Sequence, residues 1–348
     1  MQLASVRLVS LGPFDDLTVP FHDDDGAPRS VVVVFGGGGV GKTTLLAAIA
    51  ATRPGHAVAQ PPRRGEARDG TLVVTEWALG QDDAERPHGL RVVSPNAVLV
   101  EDEAASLFRR REQALFDKRA LDGGFVLVSF SGARWMSRSS AVLTTPERTI
   151  ARYDVRASHA FDDATRADLA RETKQALVYA SIGAALARDR DDAEARRLAR
   201  FEEAIREVSS KLGALAGARY VGADAATLEP TFETEAGRRV PFDELSTAAR
   251  ALVALGALTT RALFAAYPRQ DARHAEGVVL VDDAHLHLDP AVQRRLVPTL
   301  RDALPKVQWV LTTSSGDLAA GAEAGEVLAL RRMATRIELH GGALAIVH

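Results

Sequence analysis

The sequence predicts an α/β fold with a mixed central sheet, an antiparallel N-terminal β part and a helical subdomain. Three observations carry that expectation. Residues 30–35, 277–281 and 307–312 are short, largely apolar runs with many valines, the pattern of strands covered on both faces. Residues 3–21 instead alternate apolar and polar around Gly12-Pro13, as a hairpin with one covered face would. Between 162 and 215 a helical period dominates. Strands alternating with helices around a glycine loop imply a layered α/β sheet with a helical insertion.

The elements follow in chain order. The hairpin of 3–21 leads through a polar loop at 23–29 to the strand 30–35. Four glycines come next, and 43–51 reads as a helix. Pro, Gly and Arg crowd 53–70, which makes it loop. Strands are expected over 71–79 and 90–100, a charged helix over 101–121, a strand over 125–130 and two more within 142–155. Two or three helices fill 162–215, and the dense charge of 189–207 marks a solvated helix face. A strand-like stretch turns at Gly237 within 231–240, and a long Ala-rich helix spans 245–267. The strand 277–281, a helix over 291–304, the strand 307–312 and a closing set of short strands over 327–347 complete the chain. With no repeat and no long linker, one domain is expected over 1–348. Its parts are an N-terminal lobe over 1–157, a helical subdomain over 158–268 and a final lobe over 269–348.

Hydrophobic residues make up 46% and charged residues 26%, enough apolar material for a full core without a metal or disulfide staple. A net charge of -3 excludes a chain that is basic as a whole, so any nucleic-acid surface must be a local patch. Arg109-Arg110-Arg111 and Arg331-Arg332 are such patches, although solvated helix charge is the plainer reading of both. The absence of cysteine excludes disulfides and thiolate metal sites. No apolar run of membrane-spanning length and no leader pattern is visible, which implies a cytoplasmic protein without membrane contact. Arginine far outnumbers lysine. Lys42, Lys118, Lys174, Lys211 and Lys306 are the lysines, and a lysine retained in such a chain points to chemistry, Lys42 above all.

Gly36-Gly37-Gly38-Gly39-Val40-Gly41-Lys42-Thr43 fits G-x-x-x-x-G-K-[ST], between a predicted buried strand and a predicted helix. Glycines let consecutive backbone N–H groups turn toward phosphate oxygens, and the helix N-terminus adds about half a positive charge. Gly36, Gly38, Gly39, Val40, Gly41, Lys42, Thr43 and Thr44 are therefore the expected phosphate-binding residues. Lys42 would meet the β- and γ-phosphates, and the Thr43 hydroxyl would ligate Mg²⁺. A MinD-type loop shares GGVGKTT but wants a second Lys where Gly37 stands.

Residues 277–290, GVVLVDDAHLHLDP, form an apolar strand ending in an acid, the Walker B pattern. Asp282 would hold Mg²⁺, and Asp283 stands where a general base would orient the attacking water. Four segments then resemble the RecF/SMC-like branch of ABC ATPases. They are the hairpin with Phe14 and Phe21, the run Val240-Pro241-Phe242-Asp243-Glu244-Leu245-Ser246-Thr247, the stretch from Val281 to Pro290, and the stretch from Pro305 to Ser315. The resemblance covers nearly the whole chain, loosely over 55–230. It implies a P-loop NTPase of ABC ATPase type that binds ATP and Mg²⁺ and dimerises head to tail when ATP is bound. Ser246 would be the signature Ser that contacts the γ-phosphate held by the other copy.

The sequence departs from that family at three positions. The small glycine after the signature Ser is replaced in Ser246-Thr247-Ala248-Ala249, Asp283 replaces the catalytic Glu, and Ser314 stands at the switch His. Asp is shorter than Glu by about 1.5 Å of reach. The Q-loop glutamine is open between Gln60, Gln81 and Gln113. Arg134 and Arg138 are expected near the nucleotide from the family's layout. These features imply an ATP-dependent switch with slow hydrolysis, in DNA repair or anti-phage defence, working with a separate effector because no nuclease motif is visible. The alternative is a non-hydrolysing ATP-binding scaffold or regulatory subunit.

Overall fold

The computed structural model describes residues 1–52, 71–79, 89–93, 101–121, 125–141, 143–145, 168–334 and 336–341. Strands β1 (Gln2–Leu11) and β2 (Phe14–Pro20) pair antiparallel across Gly12-Pro13. β3 (Val31–Phe35) runs through the glycine loop into α1 (Lys42–Ala51). β4 (Leu72–Ala78), β5 (Leu90–Val93), α2 (Glu103–Leu121) and β6 (Leu127–Phe130) follow. Next come α3 (Ala170–Leu186), α4 (Ala193–Gly213), β7 (Ala218–Ala223), β8 (Pro230–Thr234), β9 (Arg239–Pro241) and α5 (Thr247–Ala266). The chain continues with β10 (Gly277–Val281), α6 (Pro290–Ala303), β11 (Val307–Thr313), the short α7 (Gly316–Ala320), β12 (Val327–Arg332) and β13 (Ile337–Gly341).

The central sheet has the order β13-β12-β3-β11-β10-β6, parallel throughout except for the edge strand β13. Its apolar runs alternate between two cores, as a period of two residues requires. Val31, Val33, Val279, Val281, Trp309 and Leu311 pack with α3, α4, α5 and α6. Val32, Val34, Val278, Leu280 and Val310 pack with α1 and the antiparallel sheet β2-β1-β4-β5. Glycine loop and acidic turn both leave the C-terminal edge of the parallel strands, the usual place for a ligand in such sheets.

Gln308 joins the two sheets. Its buried amide accepts from Leu3 N–H at 2.7 Å and donates to Leu3 O at 2.9 Å, so one side chain copies a strand partner for β1. On the same side, Trp77, Phe116 and Phe125 meet with ring centroids 5.1 to 5.4 Å apart. Such aromatic pairs contribute about 1 kcal/mol each beyond the area they bury.

Asp192 caps α4 by accepting from Ala195 N–H at 2.8 Å. The buried stripe Leu198, Phe201, Ile205, Val208 and Leu212 follows at helical spacing, and Phe201 stacks on Phe264 of α5 at 4.0 Å. The charged face expected over 189–207 forms exposed pairs such as Arg196–Asp191 and Arg190–Asp192. By length and composition α5 does reach what a membrane span needs, contrary to the sequence reading; most of it is buried in this core, which explains its composition.

Several expectations meet the structure differently. β7 was not expected. It arises because Gly217, at φ +73°, reverses the chain straight after α4; it pairs with β8 and β9, which form the strand-like stretch expected over 231–240 with its turn at Gly237, in a three-stranded antiparallel sheet within the helical subdomain. β5 covers only Leu90–Val93 of the strand expected over 90–100, whose remainder lies outside the described residues. The loop of 53–70, most of the strands of 142–155 and the last residues of the closing set also lie outside them, and residues 143–145 are described without strand pairing.

Candidate functional site

The glycine loop is held on three sides. Gly36 N–H donates to Thr313 O at 3.0 Å, and a Cβ at Gly36 would lie 2.7 Å from Leu330 O. Gly41 takes φ +95°, and a Cβ there would meet Phe14 Cζ at 2.5 Å and Pro13 Cγ at 2.6 Å, so the β1–β2 turn is seated on the loop. Thr44 reaches the same turn, its Cγ2 lying 3.1 Å from where a Gly12 Cβ would be. Val40 is buried beside Gly36. Gly37 and Gly38, by contrast, face open space, with nothing within 4 Å of a Cβ built on either. α1 begins without a side-chain cap and without an acidic residue in its first turn, which leaves its N–H groups and positive end to the loop.

Lys42 is buried and folds back over the loop, its Nζ donating to Gly36 O and Gly37 O at 2.8 Å each. Burial lowers its pKa, opposed by the charges of Asp283 and Asp282. Thr43 Oγ1 donates to Asp282 Oδ2 at 2.8 Å, across 239 positions of sequence. The other carboxylate oxygen of Asp282 accepts from Thr312 Oγ1 at 2.6 Å, and Thr312 Oγ1 in turn accepts from Asp283 N–H at 2.8 Å. Burial raises the pKa of Asp282, while the two threonine hydroxyls oppose the shift. Asp283 sits at φ +45°, a conformation Asp tolerates better than most residues. Its carboxylate makes no hydrogen bond among the described residues. A Cβ at Gly132 would stand 3.2 Å from Oδ2 of both Asp282 and Asp283, so a glycine in the loop after β6 leaves room for the acid pair.

Arg134 clamps this corner. Its guanidinium donates to Ser131 O at 3.0 Å, Asp282 O at 2.6 Å and Asp283 O at 3.0 Å. Burial brings its pKa down to about 10, which still leaves it charged at neutral pH. Ser314, at the end of β11, is exposed and lies 3.3 Å from His285 Nε2.

The structure thus brings Lys42, Thr43, Asp282, Asp283 and Ser314 to one edge of the sheet. Ser246 is not among them. It is exposed at the start of α5, where its hydroxyl caps the helix by accepting from Ala249 N–H at 3.1 Å. Of the glutamines considered, Gln60 and Gln81 lie outside the described residues, and Gln113 is bonded to Asp117 on α2 at 3.0 Å. Arg109 pairs with Glu101 at 3.0 Å, and Arg138 is exposed.

Sequence reasoning missed His285 and Gly132 and misjudged Arg332. Nothing local marks Gly132, whose role depends on where β10 lies. His285 had a signal in its place between Asp283 and the start of α6. Arg332, considered above as a nucleic-acid contact, donates to Gly39 O at 2.6 Å and steadies the loop. Because it is exposed, Arg332→Ala is expected to weaken nucleotide binding only about five-fold, within the ~1 kcal/mol of exposed polar contacts; titration of ATP against both proteins checks this.

No protein-family model matches the sequence. Among solved structures, the chain is similar to an SMC head bound to the C-terminal winged-helix domain of ScpA, with TM-score 0.55 and 13% identity over 99% of each chain. An SMC head domain from Thermotoga maritima aligns with TM-score 0.47 and 13% identity over 98% of this chain and 99% of that one. A third, an SMC head with an extended coiled coil bound to the C-terminal domain of ScpA from Pyrococcus furiosus, aligns with TM-score 0.48 and 15% identity over 99% and 96%. With the sheet order, the loop and the acidic turn in place, the first of these comparisons shows the fold: it is that of an SMC head, a mixed α/β fold of the ABC ATPase type.

Proposed function

We propose that this chain binds ATP with Mg²⁺ and acts as a nucleotide-dependent dimerisation switch of the ABC class. The observation that carries the proposal is the Thr43–Asp282 hydrogen bond beside Lys42. A hydroxyl, a carboxylate and an ammonium side by side, next to an uncapped helix N-terminus, support a site for a metal-bound triphosphate. Gly37 and Gly38 leave the cradle open for phosphate oxygens. Lys42, with two of its three N–H donors on loop carbonyls, keeps one for a phosphate oxygen. Thr43 and Asp282 would hold Mg²⁺, which neutralises charge on the β- and γ-phosphate oxygens when bound.

Asp283 would orient the attacking water. Its carboxylate is one methylene shorter than glutamate, and a misplacement near 1 Å can cost roughly 100-fold in rate. Slow turnover follows. Ser246 is exposed and apart from its own loop, which suits a contact with nucleotide held by a second copy. We propose a head-to-tail homodimer formed on ATP, a separate effector protein, and a setting in DNA repair or anti-phage defence. The SMC head bound to a ScpA domain supports the protein partner by fold analogy alone.

The test is mass and phosphate release with ATP and Mg²⁺, wild type beside Lys42→Ala. The expected result is a dimer with slow phosphate release, both lost in Lys42→Ala. A dimer without turnover favours the scaffold reading, which the short Asp283 side chain supports. No ATP binding by the wild type sinks the proposal.

A further inference from the structure

His285 is the side chain at this site that neither the loop nor the acid pair accounts for. Two left-handed residues, Asp283 at φ +45° and His287 at φ +67°, curl the chain after β10 and bring the imidazole back onto the end of β11. There Nδ1 lies 3.1 Å from Thr313 Oγ1 and Nε2 lies 3.3 Å from Ser314 Oγ. The neighbouring hydroxyls decide the tautomer. Thr313 is fully buried, and its oxygen accepts from Ser315 N–H at 2.9 Å. Among the described residues the ring is the one acceptor for its hydroxyl proton. Nδ1 is then the acceptor, and Nε2 carries the ring proton and donates to Ser314 Oγ. Burial, the largest influence on this ring, lowers its pKa and agrees with a neutral imidazole.

The outcome is a directed hydroxyl. With its oxygen accepting from His285, Ser314 must send its own proton outward, and Ser314 is exposed. Ser314 also stands beside the nucleotide cradle in the chain. Gly36 N–H bonds the carbonyl of Thr313, so Ser314 directly follows the residue that anchors the loop. The imidazole is also close enough to feel the charges of Lys42, Asp283, Arg134 and Asp282.

We infer that His285 and Ser314 form a two-residue reader of the terminal phosphate, in which Ser314 donates to a γ-phosphate oxygen and His285 is the positioning residue that aims it. The inference rests on the nucleotide reading above and deepens it by naming what separates a triphosphate from a diphosphate.

The experiment compares the affinities of ADP and a non-hydrolysable ATP analogue, with Mg²⁺, for wild type, His285→Ala, Ser314→Ala, the double variant and His285→Gln. Melting curves with no nucleotide check that each variant folds. His285→Ala is expected to bind the analogue about ten-fold more weakly and ADP unchanged, the scale of one charge-assisted hydrogen bond. Ser314→Ala should match it, the double variant should be no worse than either single one, and His285→Gln, which keeps an N–H donor, should recover part of the loss. A His285→Ala protein with unchanged preference, or with both ligands weakened equally, overturns the inference and leaves the nucleotide reading standing. Losses that simply add in the double variant also overturn it, because the residues then act separately. A wild type that binds neither ligand overturns the nucleotide reading and this inference with it.

Discussion

Gly41→Ala is expected to melt well below the wild type, by about 2–5 kcal/mol of stability. Two independent costs sum to that figure. At φ +95° a residue with a Cβ is strained by about 1–2 kcal/mol. The new methyl carbon would also stand 2.5 Å from Phe14 and 2.6 Å from Pro13, and crowding of that kind costs about 1–3 kcal/mol. Relief is hard to find. Phe14 is 2% exposed and fixed in the core by β2, and Pro13 lies in the tight turn between two paired strands. Gly38→Ala is the control. Its methyl group would meet nothing within 4 Å, so its melting point should stay within about 0.5 kcal/mol of wild type. Thermal unfolding with and without Mg·ATP separates the two. Equal melting of Gly41→Ala and wild type would mean that the hairpin turn is not seated on the loop.

Asp282→Asn should move stability and ligand response in opposite directions. Burial holds the Asp282 pKa above its ordinary value, so the folded protein binds that proton more tightly than the unfolded chain. Its contribution is therefore fully present in acid, below the unfolded pKa, and is lost as pH rises through the folded one. Asn keeps the shape and can still bond Thr43 and Thr312 without a buried charge. The nucleotide-free variant should melt no lower than wild type at neutral pH and higher by up to about 1 kcal/mol, with the gap closing as pH falls through the carboxylate range. The stabilisation by Mg·ATP should disappear, a loss of about 100-fold or more in metal-dependent affinity. A variant that melts lower without ligand would show that the carboxylate is a structural charge and not a site held open for a cation.

Much of this was legible in the sequence because several signals are local. Strand β3, the glycine loop and α1 lie side by side in the chain, so GGGGVGKT could be read with its structural context. The Walker B strand was legible for the same reason. What escaped reading depends on distant partners. β7 is short and of mixed composition, and only the reversal at Gly217 makes it a strand. Gly132 matters because two acids 150 positions further on point at it. Arg332 follows Arg331 in a basic pair that reads as surface charge, and only the β12–β3 pairing carries it to Gly39. His285 is the instructive case. Ser314 reads as a plain loss of a histidine, because a sequence compares one position at a time and cannot show an imidazole arriving from the turn after β10.

The double bond between Gln308 and Leu3 has a mechanical consequence. β1 is a lever about 30 Å long at the usual rise per residue. Near one end it is riveted to β11 by the Gln308 amide, and just past the other its turn rests on Gly41. A push on the turn and a shift in the foot of β11 are therefore felt through the same stiff member. The outer sheet thus ties the foot of β11 and the phosphate loop to one shared strand.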